Sequence, residues 1–260
     1  MKQITSRDNP TFKSLHNLVE NAREQRQRQQ TLIDGLHLIE VYRQRGGQPQ
    51  LLLLAESALD HPQVSALSSG FVGVEILCLR DNLFRELSGV ATPTGIAAVI
   101  AIPEPDQTLP QDTCVLLDAV QDAGNVGSIL RTAAAAGVRD VLLGSGCAGA
   151  WTPRVLRAAQ GAHFSLNIRE QLDLSTLLGQ MSMPGVAAVV DGAVPLYQLD
   201  LRQPVAWLFG NEGAGLSAAL QAGAKLRATI PLAAETESLN VAAAAAVCLF
   251  EGLRQRSGMQ

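Results

Sequence analysis

The sequence predicts a two-part α/β protein with a small N-terminal α/β domain and a larger C-terminal domain built on a parallel sheet. Apolar runs of strand length, such as 115–117 and 141–143, alternate with helical patterns along the chain. Continuous apolar strands separated by helices are typical of a parallel sheet covered on both faces. Three prolines and little periodicity mark 103–112 as a linker. We therefore expect domains over 1–102 and 113–260.

The N-terminal domain is expected to alternate helices and strands. Asn9 and Pro10 predict a helix start, after which the apolar face gives way to the polar segment 23–30. Further helices are predicted near 36–45, 60–68 and 81–87, and strands at 32–33, 51–54, 74–79 and 96–102.

The C-terminal domain repeats this alternation and ends in a long helix. Strands are predicted at 115–119, 141–143, 186–190 and 205–209. The last helix is expected to run from about Ser238 to Gln255, and five consecutive alanines at 242–246 make part of it thin. Its expected apolar stripe, at a period of 3.6 residues, is Leu239, Ala242, Ala246, Leu249, Phe250 and Leu253.

Composition excludes several classes of protein. Of the 260 residues, 47% are hydrophobic and 17% charged, which predicts an aliphatic core rather than a disordered chain. The net charge of −4 does not indicate a nucleic-acid binder, although residues 1–50 carry eight Lys and Arg against five Asp and Glu. The four cysteines lie far apart and no His has metal-ligand spacing, so neither a zinc site nor a disulfide framework is expected.

No targeting or membrane segment is expected. The N-terminus lacks the apolar core of a signal peptide. The uncharged stretches 87–103 and 174–190 fall short of the roughly 18–20 apolar residues that span a bilayer and contain Gly and Pro. A cytoplasmic protein follows as the expectation.

A glycine-rich run, Gly144-Ser-Gly146-Cys-Ala-Gly149, matches the G-x-G-x-x-G pattern of dinucleotide-binding loops. In that fold the third glycine lies within the helix that receives the pyrophosphate. Here the helix start is predicted only at Thr152 and Pro153. We favour a connecting loop, and keep an NAD-type oxidoreductase with Glu170 as its ribose carboxylate as an alternative.

Three other segments each follow a predicted strand and hold polar residues. In 122–131, Asn125 is interpreted as a helix N-cap and Arg131 flanks the apolar seam, which alone is more typical of a capped helix than of an anion site. In 210–217, glycines around Glu212 allow close backbone approach to a ligand, or form a flexible turn with an exposed carboxylate. Ser238 is expected to cap the last helix. Capping does not explain Asn240, which is expected in the first helical turn.

Together, in this order, these segments resemble the three motifs of the SpoU/TrmH family of RNA ribose 2′-O-methyltransferases. The matching runs are Asn125-Val-Gly-Ser-Ile-Leu-Arg131-Thr-Ala, Leu208-Phe-Gly-Asn-Glu212-Gly-Ala-Gly-Leu-Ser217, and Ile230-Pro with Ser238-Leu-Asn240-Val. The likeness continues in Gly161-Ala-His-Phe164, Ile4-Thr-Ser-Arg-Asp-Asn-Pro10, Arg28 with Leu32-Ile-Asp-Gly35, and Thr94-Gly-Ile-Ala-Ala-Val99, and so covers nearly the whole chain. Two residues depart from the pattern, Ala123 for a proline and Asp34 for a glutamate.

The resemblance implies features that neither periodicity nor spacing predicts. It implies an α/β/α methyltransferase domain with a C-terminal trefoil knot and an N-terminal RNA substrate-binding domain with a small fold similar to certain ribosomal proteins. It also implies a homodimer formed through the catalytic domain and S-adenosyl-L-methionine as cofactor, with no metal. The implied cofactor contacts are Gly210, Asn211, Ile230, Pro231 and Leu239.

The resemblance further implies a catalytic set of Asn125, Arg131, Glu212, Ser238 and Asn240. A guanidinium is not expected to lose its proton in proteins, so we favour Arg131 as a phosphate-bound group that positions the ribose and stabilises developing negative charge. Glu212 or solvent then receives the hydroxyl proton.

The substrate implied is RNA. Ribosomal RNA is preferred and transfer RNA is the runner-up. The basic cluster Arg23, Arg26 and Arg28 is a candidate RNA contact, equally well explained as a solvated helix face. A non-catalytic RNA-binding protein is a further alternative, but the complete polar set argues against it.

Overall fold

A computed structural model describes residues 1–233 and 237–258. The chain divides into two compact units, of which the first comprises Met1–Glu104 and Trp151–Phe164, and the second Pro105–Ala150 and Ser165–Gln260. The segment Trp151–Phe164 was expected in the C-terminal domain, and the structure groups it with the first unit instead.

The first unit is built on a five-stranded mixed sheet. Its strands are β1 (Lys2–Ile4), β2 (Gln30–Asp34), β3 (Leu51–Ala55), β4 (Glu75–Leu79) and β5 (Ile96–Ala101), in the order β1-β4-β3-β5-β2. Its helices in this part of the chain are α1 (Pro10–Glu20), α2 (Ala22–Arg28), α3 (Leu36–Gln44), α4 (Pro62–Ser69) and α5 (Asp81–Ser88). The α/β alternation predicted for the N-terminal part is confirmed.

Two asparagines start the first two helices. The Asn9 side chain accepts hydrogen bonds from the backbone N–H groups of Thr11 and Phe12, and Pro10 occupies the first helical position, as predicted. Asn21 then caps α2 in the same way. The polar segment after α1 therefore forms a separate short helix.

Asp34, one of the two departures from the family pattern, ends strand β2 inside a polar network. The Ser88 hydroxyl donates to its carboxylate at 2.6 Å, and Arg157 donates to the Ser88 carbonyl at 2.9 Å. Burial raises the pKa of the Asp34 carboxyl, and the Ser88 hydrogen bond and the Arg157 charge oppose this rise.

The second unit is built on a seven-stranded, all-parallel sheet. The remaining elements in chain order are β6 (Cys114–Leu117), α6 (Ala123–Ala135), β7 (Asp140–Gly144), α7 (Pro153–Ala159), β8 (Asn167–Leu172), α8 (Leu174–Gln180), β9 (Gly185–Ala188), β10 (Val194–Pro195), β11 (Ala206–Phe209), α9 (Ala218–Gly223), β12 (Leu226–Thr229) and α10 (Val241–Arg256). Helix α7 lies in the first unit. The sheet order is β10-β12-β9-β11-β6-β7-β8, which confirms the predicted parallel α/β sheet.

The proline-rich segment attaches in part to the edge of this sheet. The Asn167 side chain accepts from the Asp106 N–H at 2.9 Å and donates to the Asp106 carbonyl at 3.1 Å. Arg169 donates to the Gln107 carbonyl at 3.2 Å. Residues 106 and 107 are thus part of the second unit, although the linker was expected to extend through 112.

The last helix differs from the predicted one in its start and its buried face. It begins at Val241 rather than Ser238. Leu249 of the predicted stripe is buried, but Phe250 is 47% exposed and Leu239 lies outside the helix, so the stripe is only partly right. The other buried residues of α10 are Ala245, Cys248, Glu251 and Gly252. Across the described chain, no helix combines the length and apolar character needed to cross a membrane.

Candidate active site

Two of the three motif segments leave neighbouring strands of the seven-stranded sheet. Strands β6 and β11 are adjacent and parallel, with Leu117 paired to Phe209 at their ends. The segment that leads into α6 follows β6, and residues 210–217 follow β11. The carboxyl ends of parallel strands lie at one edge, where ligands of open α/β sheets bind.

Asn125 links the three motif segments directly. Its Nδ2 donates to Glu212 Oε1 at 2.7 Å, and its Oδ1 accepts from Asn240 Nδ2 at 2.9 Å. Asn125 is half-buried, while Glu212 and Asn240 are exposed. Three residues predicted as catalytic are therefore joined in one hydrogen-bonded chain at the surface.

Asn125 is available for this role because another residue caps its helix. Asp122 is the N-cap of α6, and its carboxylate accepts from the Asn125 N–H at 2.8 Å. The interpretation of Asn125 as the N-cap is therefore wrong. Ala123, which replaces a proline of the family pattern, is the first residue of the helix, and the turn is held by the Asp122 cap.

Asn240, in contrast, caps helix α10. Its Oδ1 accepts from the N–H groups of Ala242 and Ala243 at 2.9 and 3.2 Å. The expectation that Ser238 is the cap is thus wrong, and Asn240 serves two purposes, since its Nδ2 faces Asn125. Ser238 is exposed and makes no hydrogen bond to any residue within 1–233 or 237–258.

Arg131 lies six residues after Asn125 on α6. It is exposed and makes neither a hydrogen bond nor an ion pair with another residue that the structure describes. With respect to residues 1–233 and 237–258, its guanidinium is therefore open to an anion. The structure does not join Arg131 and Ser238 to the Asn125 network.

Residues 210–217, here called the glycine loop, fold back on themselves. The backbones of Asn211 and Gly215 exchange two hydrogen bonds, of 3.0 and 2.9 Å. A Cβ on Gly210 would lie 2.3 Å from the Gly215 carbonyl carbon, so only glycine fits this close approach. The loop thus has a defined conformation, unlike the flexible turn considered as its alternative.

The side chain of Asn211 holds this loop together. Its Oδ1 accepts from the N–H groups of Gly213 and Ala214, each at 2.9 Å, and its Nδ2 donates to the Ala119 carbonyl at 2.9 Å. Asn211 was predicted to contact the cofactor. The structure shows its amide bonded within the protein, so the loop backbone is the surface left for a ligand.

The other residues predicted to bind the cofactor lie at the same edge. Ile230 and Pro231 follow the carboxyl end of β12, and Leu239 precedes the Asn240 cap. Ile230 is half-buried and Leu239 is 38% exposed, so both keep apolar surface open to solvent.

The 144–149 run forms a connecting loop between β7 and α7. The Ala148 N–H donates to the Val120 carbonyl at 2.9 Å, and the Ala150 N–H donates to the Glu170 carboxylate at 2.7 Å. Helix α7 begins only at Pro153 and has seven residues. This geometry disfavours the dinucleotide interpretation, because no helix starts at the third glycine.

Cys147 is a half-buried cysteine in the loop between β7 and α7. Burial raises the pKa of the Cys147 thiol to about 11, so the thiol stays protonated near neutral pH. In residues 1–233 and 237–258, no group of three or more His, Cys, Asp or Glu side chains is placed to hold a metal ion.

Sequence reasoning missed two residues that shape the site. Asp122 orients α6, and Asp118 accepts a hydrogen bond from the Ser217 N–H at 2.7 Å. The sequence contained a signal for Asp118, which is a charged residue directly after an apolar strand. Ala119 has a φ of +53°, unusual for a residue with a Cβ, and nothing in its identity indicated this.

Two known family models match most of the chain. Residues 112–250 match the model of the SpoU rRNA methylase family, and residues 9–98 match an MRM3-like substrate-binding domain. The chain is 34% identical to the 23S rRNA (guanosine(2553)-2′-O)-methyltransferase RlmP of Bacillus subtilis, over 96% of this chain and 98% of that protein.

Solved structures show the same likeness. An RNA 2′-O ribose methyltransferase superposes with a TM-score of 0.82 at 30% identity, covering 98% of this chain and 99% of that one. An AdoMet-bound rRNA methyltransferase from Sinorhizobium meliloti gives 0.84 at 27% identity, covering 100% and 98%. The family model spans more than half of the chain and the Bacillus relative nearly all of it, so the chain belongs to the SpoU rRNA methylase family.

Proposed function

We propose that this protein methylates a ribose 2′-hydroxyl of ribosomal RNA, with S-adenosyl-L-methionine as the methyl donor. The observation that carries the proposal is the contact of Asn125 with both Glu212 and Asn240, which unites the three family motifs. The Bacillus relative is named for a 23S rRNA ribose, and the Sinorhizobium structure holds the cofactor, which supports ribosomal RNA and this methyl donor.

The proposed cofactor site fits the residues present. S-Adenosylmethionine supplies a methyl group that its sulfonium has already activated. The backbone N–H and C=O groups of Gly210, next to the internally bonded Asn211, are open to a ligand, and the exposed parts of Ile230, Pro231 and Leu239 offer apolar contact for an adenine ring. Because the methyl carbon is already an electrophile, we propose that no metal takes part.

The chain's own residues position the ribose and accept its proton. In the reaction a bond forms between the 2′-oxygen and the methyl carbon, the carbon–sulfur bond breaks, and the hydroxyl proton leaves. Arg131 binds an adjacent phosphate and stabilises negative charge that develops on the oxygen. Glu212, held by Asn125, or a water molecule receives the proton, and Ser238 supplies a hydroxyl near Asn240.

The first unit is proposed to bind the substrate RNA. Its match to a substrate-binding domain supports this role. In the cluster on α2, Arg28 pairs with Glu24, whereas Arg23 and Arg26 form no ion pair with any residue that the structure describes and so remain available for phosphate.

Further features rest on the family resemblance. We propose that the second unit contains a trefoil knot, that the first unit has a ribosomal-protein-like fold, and that two copies form a homodimer through the catalytic domain. We also propose that the protein acts in the cytoplasm.

Mass spectrometry of ribose methylation tests the proposed function. Total RNA from a strain that lacks the gene is incubated with S-adenosylmethionine and wild-type protein, Arg131→Ala, Arg131→Lys or the control Arg139→Ala. We expect one new 2′-O-methylated nucleotide with wild type and with the control, whose exposed arginine follows the same helix. Arg131→Ala should lower the rate about 100-fold or more, and Arg131→Lys should recover little of it, because lysine lacks the bidentate fork.

The position of the methylated nucleotide decides between ribosomal and transfer RNA. Near-normal methylation by Arg131→Lys would contradict the bidentate role of Arg131. A wild-type protein that binds no S-adenosylmethionine would contradict the proposed function as a whole.

A further inference from the structure

Asp118 holds both ends of the glycine loop. It directly follows strand β6, and its backbone N–H donates to the carbonyl of Phe209, the residue before the loop, at 2.9 Å. Its carboxylate Oδ2 accepts from the N–H of Ser217, the last residue of the loop, at 2.7 Å. Asp118 thus forms hydrogen bonds at both ends of the eight-residue glycine loop.

The loop needs such an anchor because of its composition. Three of its residues, Gly210, Gly213 and Gly215, lack a Cβ, and glycine has more backbone freedom to lose than any other residue. Its internal bonds involve Asn211, whose side chain also reaches the Ala119 carbonyl. The Asp118 carboxylate secures the other end, at Ser217.

We propose that Asp118 is a positioning residue that keeps the glycine loop in the conformation competent for cofactor binding, acting through the Ser217 N–H. The cofactor part of this inference rests on the proposed function. The carboxylate bonds the backbone of the protein itself, so Asp118 is not proposed to act on the ribose.

The expected effect follows from the population of the competent loop. If removal of the carboxylate leaves the loop correctly folded for about a tenth of the time, the apparent Kd for the cofactor rises about tenfold, while the rate at saturating cofactor changes little. Loss of a catalytic group would instead lower that rate.

Four variants test the inference. Asp118→Ala removes the acceptor, and Asp118→Asn keeps an oxygen that can accept the same bond. Ser217→Pro removes the donor at a φ of −58°, which proline adopts without strain. Asp106→Ala is the matched control, because that carboxylate also accepts one backbone N–H, from Thr108 at 2.9 Å, but at the β8 edge of the sheet.

Two measurements are made on the full chain. Hydrogen exchange without cofactor should be at least tenfold faster at amides 211–216 in Asp118→Ala and Ser217→Pro, and near wild type in Asp118→Asn and the control. Calorimetric titration with S-adenosylmethionine should give a Kd about tenfold higher for the first two variants and little changed for the others. The double variant Asp118→Ala/Ser217→Pro should raise the Kd no more than either single variant, because both substitutions remove the same hydrogen bond.

The outcomes separate this inference from the proposed function. Unchanged loop exchange and unchanged Kd in Asp118→Ala would overturn the inference, as would a uniform acceleration of exchange across the second unit, including strand β6. Faster loop exchange in a protein whose wild type binds no S-adenosylmethionine would support the anchor and contradict the proposed function.

Discussion

The amide of Asn125 has only one orientation that satisfies its neighbours. Both recorded bonds on Asn240 Oδ1 come from backbone N–H groups, so Asn240 presents its NH₂ group to Asn125. Asn125 must then offer its oxygen to Asn240 and its NH₂ group to Glu212, which is an acceptor when ionised. The start of α10 therefore sets the orientation of a side chain on α6, which in turn holds the Glu212 carboxylate.

Asn125→Asp should disrupt this arrangement with little change in shape. A second carboxylate would then lie where the amide donates to Glu212 at 2.7 Å, and like charges at this distance repel. We expect methyl transfer at pH 8 to fall about 100-fold.

Initial rates at pH 8 on the RNA that the wild type methylates check the prediction. Asn125→Ala, which removes the amide without adding a second charge, is the control and should lose less activity than Asn125→Asp. Equal rates for Asn125→Asp and Asn125→Ala would contradict a direct contact between residues 125 and 212.

At this scale the sequence predicted the residues of the network but not its bonds. The resemblance identified Asn125, Glu212 and Asn240, yet the bonds join positions 87 and 115 residues apart. Helix capping was assigned to Asn125 and Ser238 because local rules rank Asn, Asp and Ser nearly equally as caps. The chain geometry decides in favour of Asp122 and Asn240.

Helix α10 depends on Asn240 for its start, and the site depends on the same side chain. Asn240→Ala should destabilise the protein by about 1 kcal/mol, because the N–H groups of Ala242 and Ala243 lose their cap. Asn240→Asp keeps an oxygen for the cap but removes the NH₂ group that faces Asn125. We therefore expect Asn240→Asp to be as stable as wild type and yet to lose methyl transfer, about tenfold or more.

Urea unfolding together with rate measurements separates the two effects. Equal losses of stability in Asn240→Ala and Asn240→Asp would contradict the assignment of the helix cap to the side-chain oxygen at position 240. Full activity in Asn240→Asp would contradict a role for the bond to Asn125.

The elements themselves were predictable where their apolar patterns were strong. Strands β6, β7, β9 and β11 carry continuous apolar runs, and all four were predicted. Strand β8, with the sequence Asn-Ile-Arg-Glu-Gln-Leu, and the short strand β12 were not predicted, since polar or brief segments lack that pattern. Only Leu249 of the buried face of α10 was predicted, because consecutive alanines give the helix no distinct apolar side.

For the whole molecule, the grouping of segment 151–164 with the first unit was the least predictable feature. Segment 151–164 packs with the first unit, although it lies between β7 and β8 of the second. Within the first unit the Thr31 hydroxyl donates to the Trp151 carbonyl at 2.6 Å, and Tyr42 packs against Phe164. Such contacts join residues 120 or more positions apart, and composition along the chain contains no signal for them.

The response of the whole protein to ligands distinguishes the two cofactor interpretations of its glycine-rich loops. A ligand that binds only the folded state at 100 times its Kd stabilises that state by about 2.7 kcal/mol. For a domain of this size this corresponds to a rise in Tm of roughly 5–10 °C. We expect S-adenosylmethionine to produce this rise and NADH to produce none, because the 144–149 loop lacks a helix start at its third glycine.

Two glycine variants locate the effect. Gly210→Ala should abolish the shift, since its Cβ would lie 2.3 Å from the Gly215 carbonyl carbon and force the glycine loop open. Gly179→Ala should keep the full shift, because that position in α8 has no atom within 4 Å of the added Cβ. Calorimetric scans of the wild type and both variants, with and without each ligand, measure these shifts in Tm. Protection by NADH, or equal protection of wild type and Gly210→Ala by S-adenosylmethionine, would contradict the assignment of the glycine loop as the cofactor site.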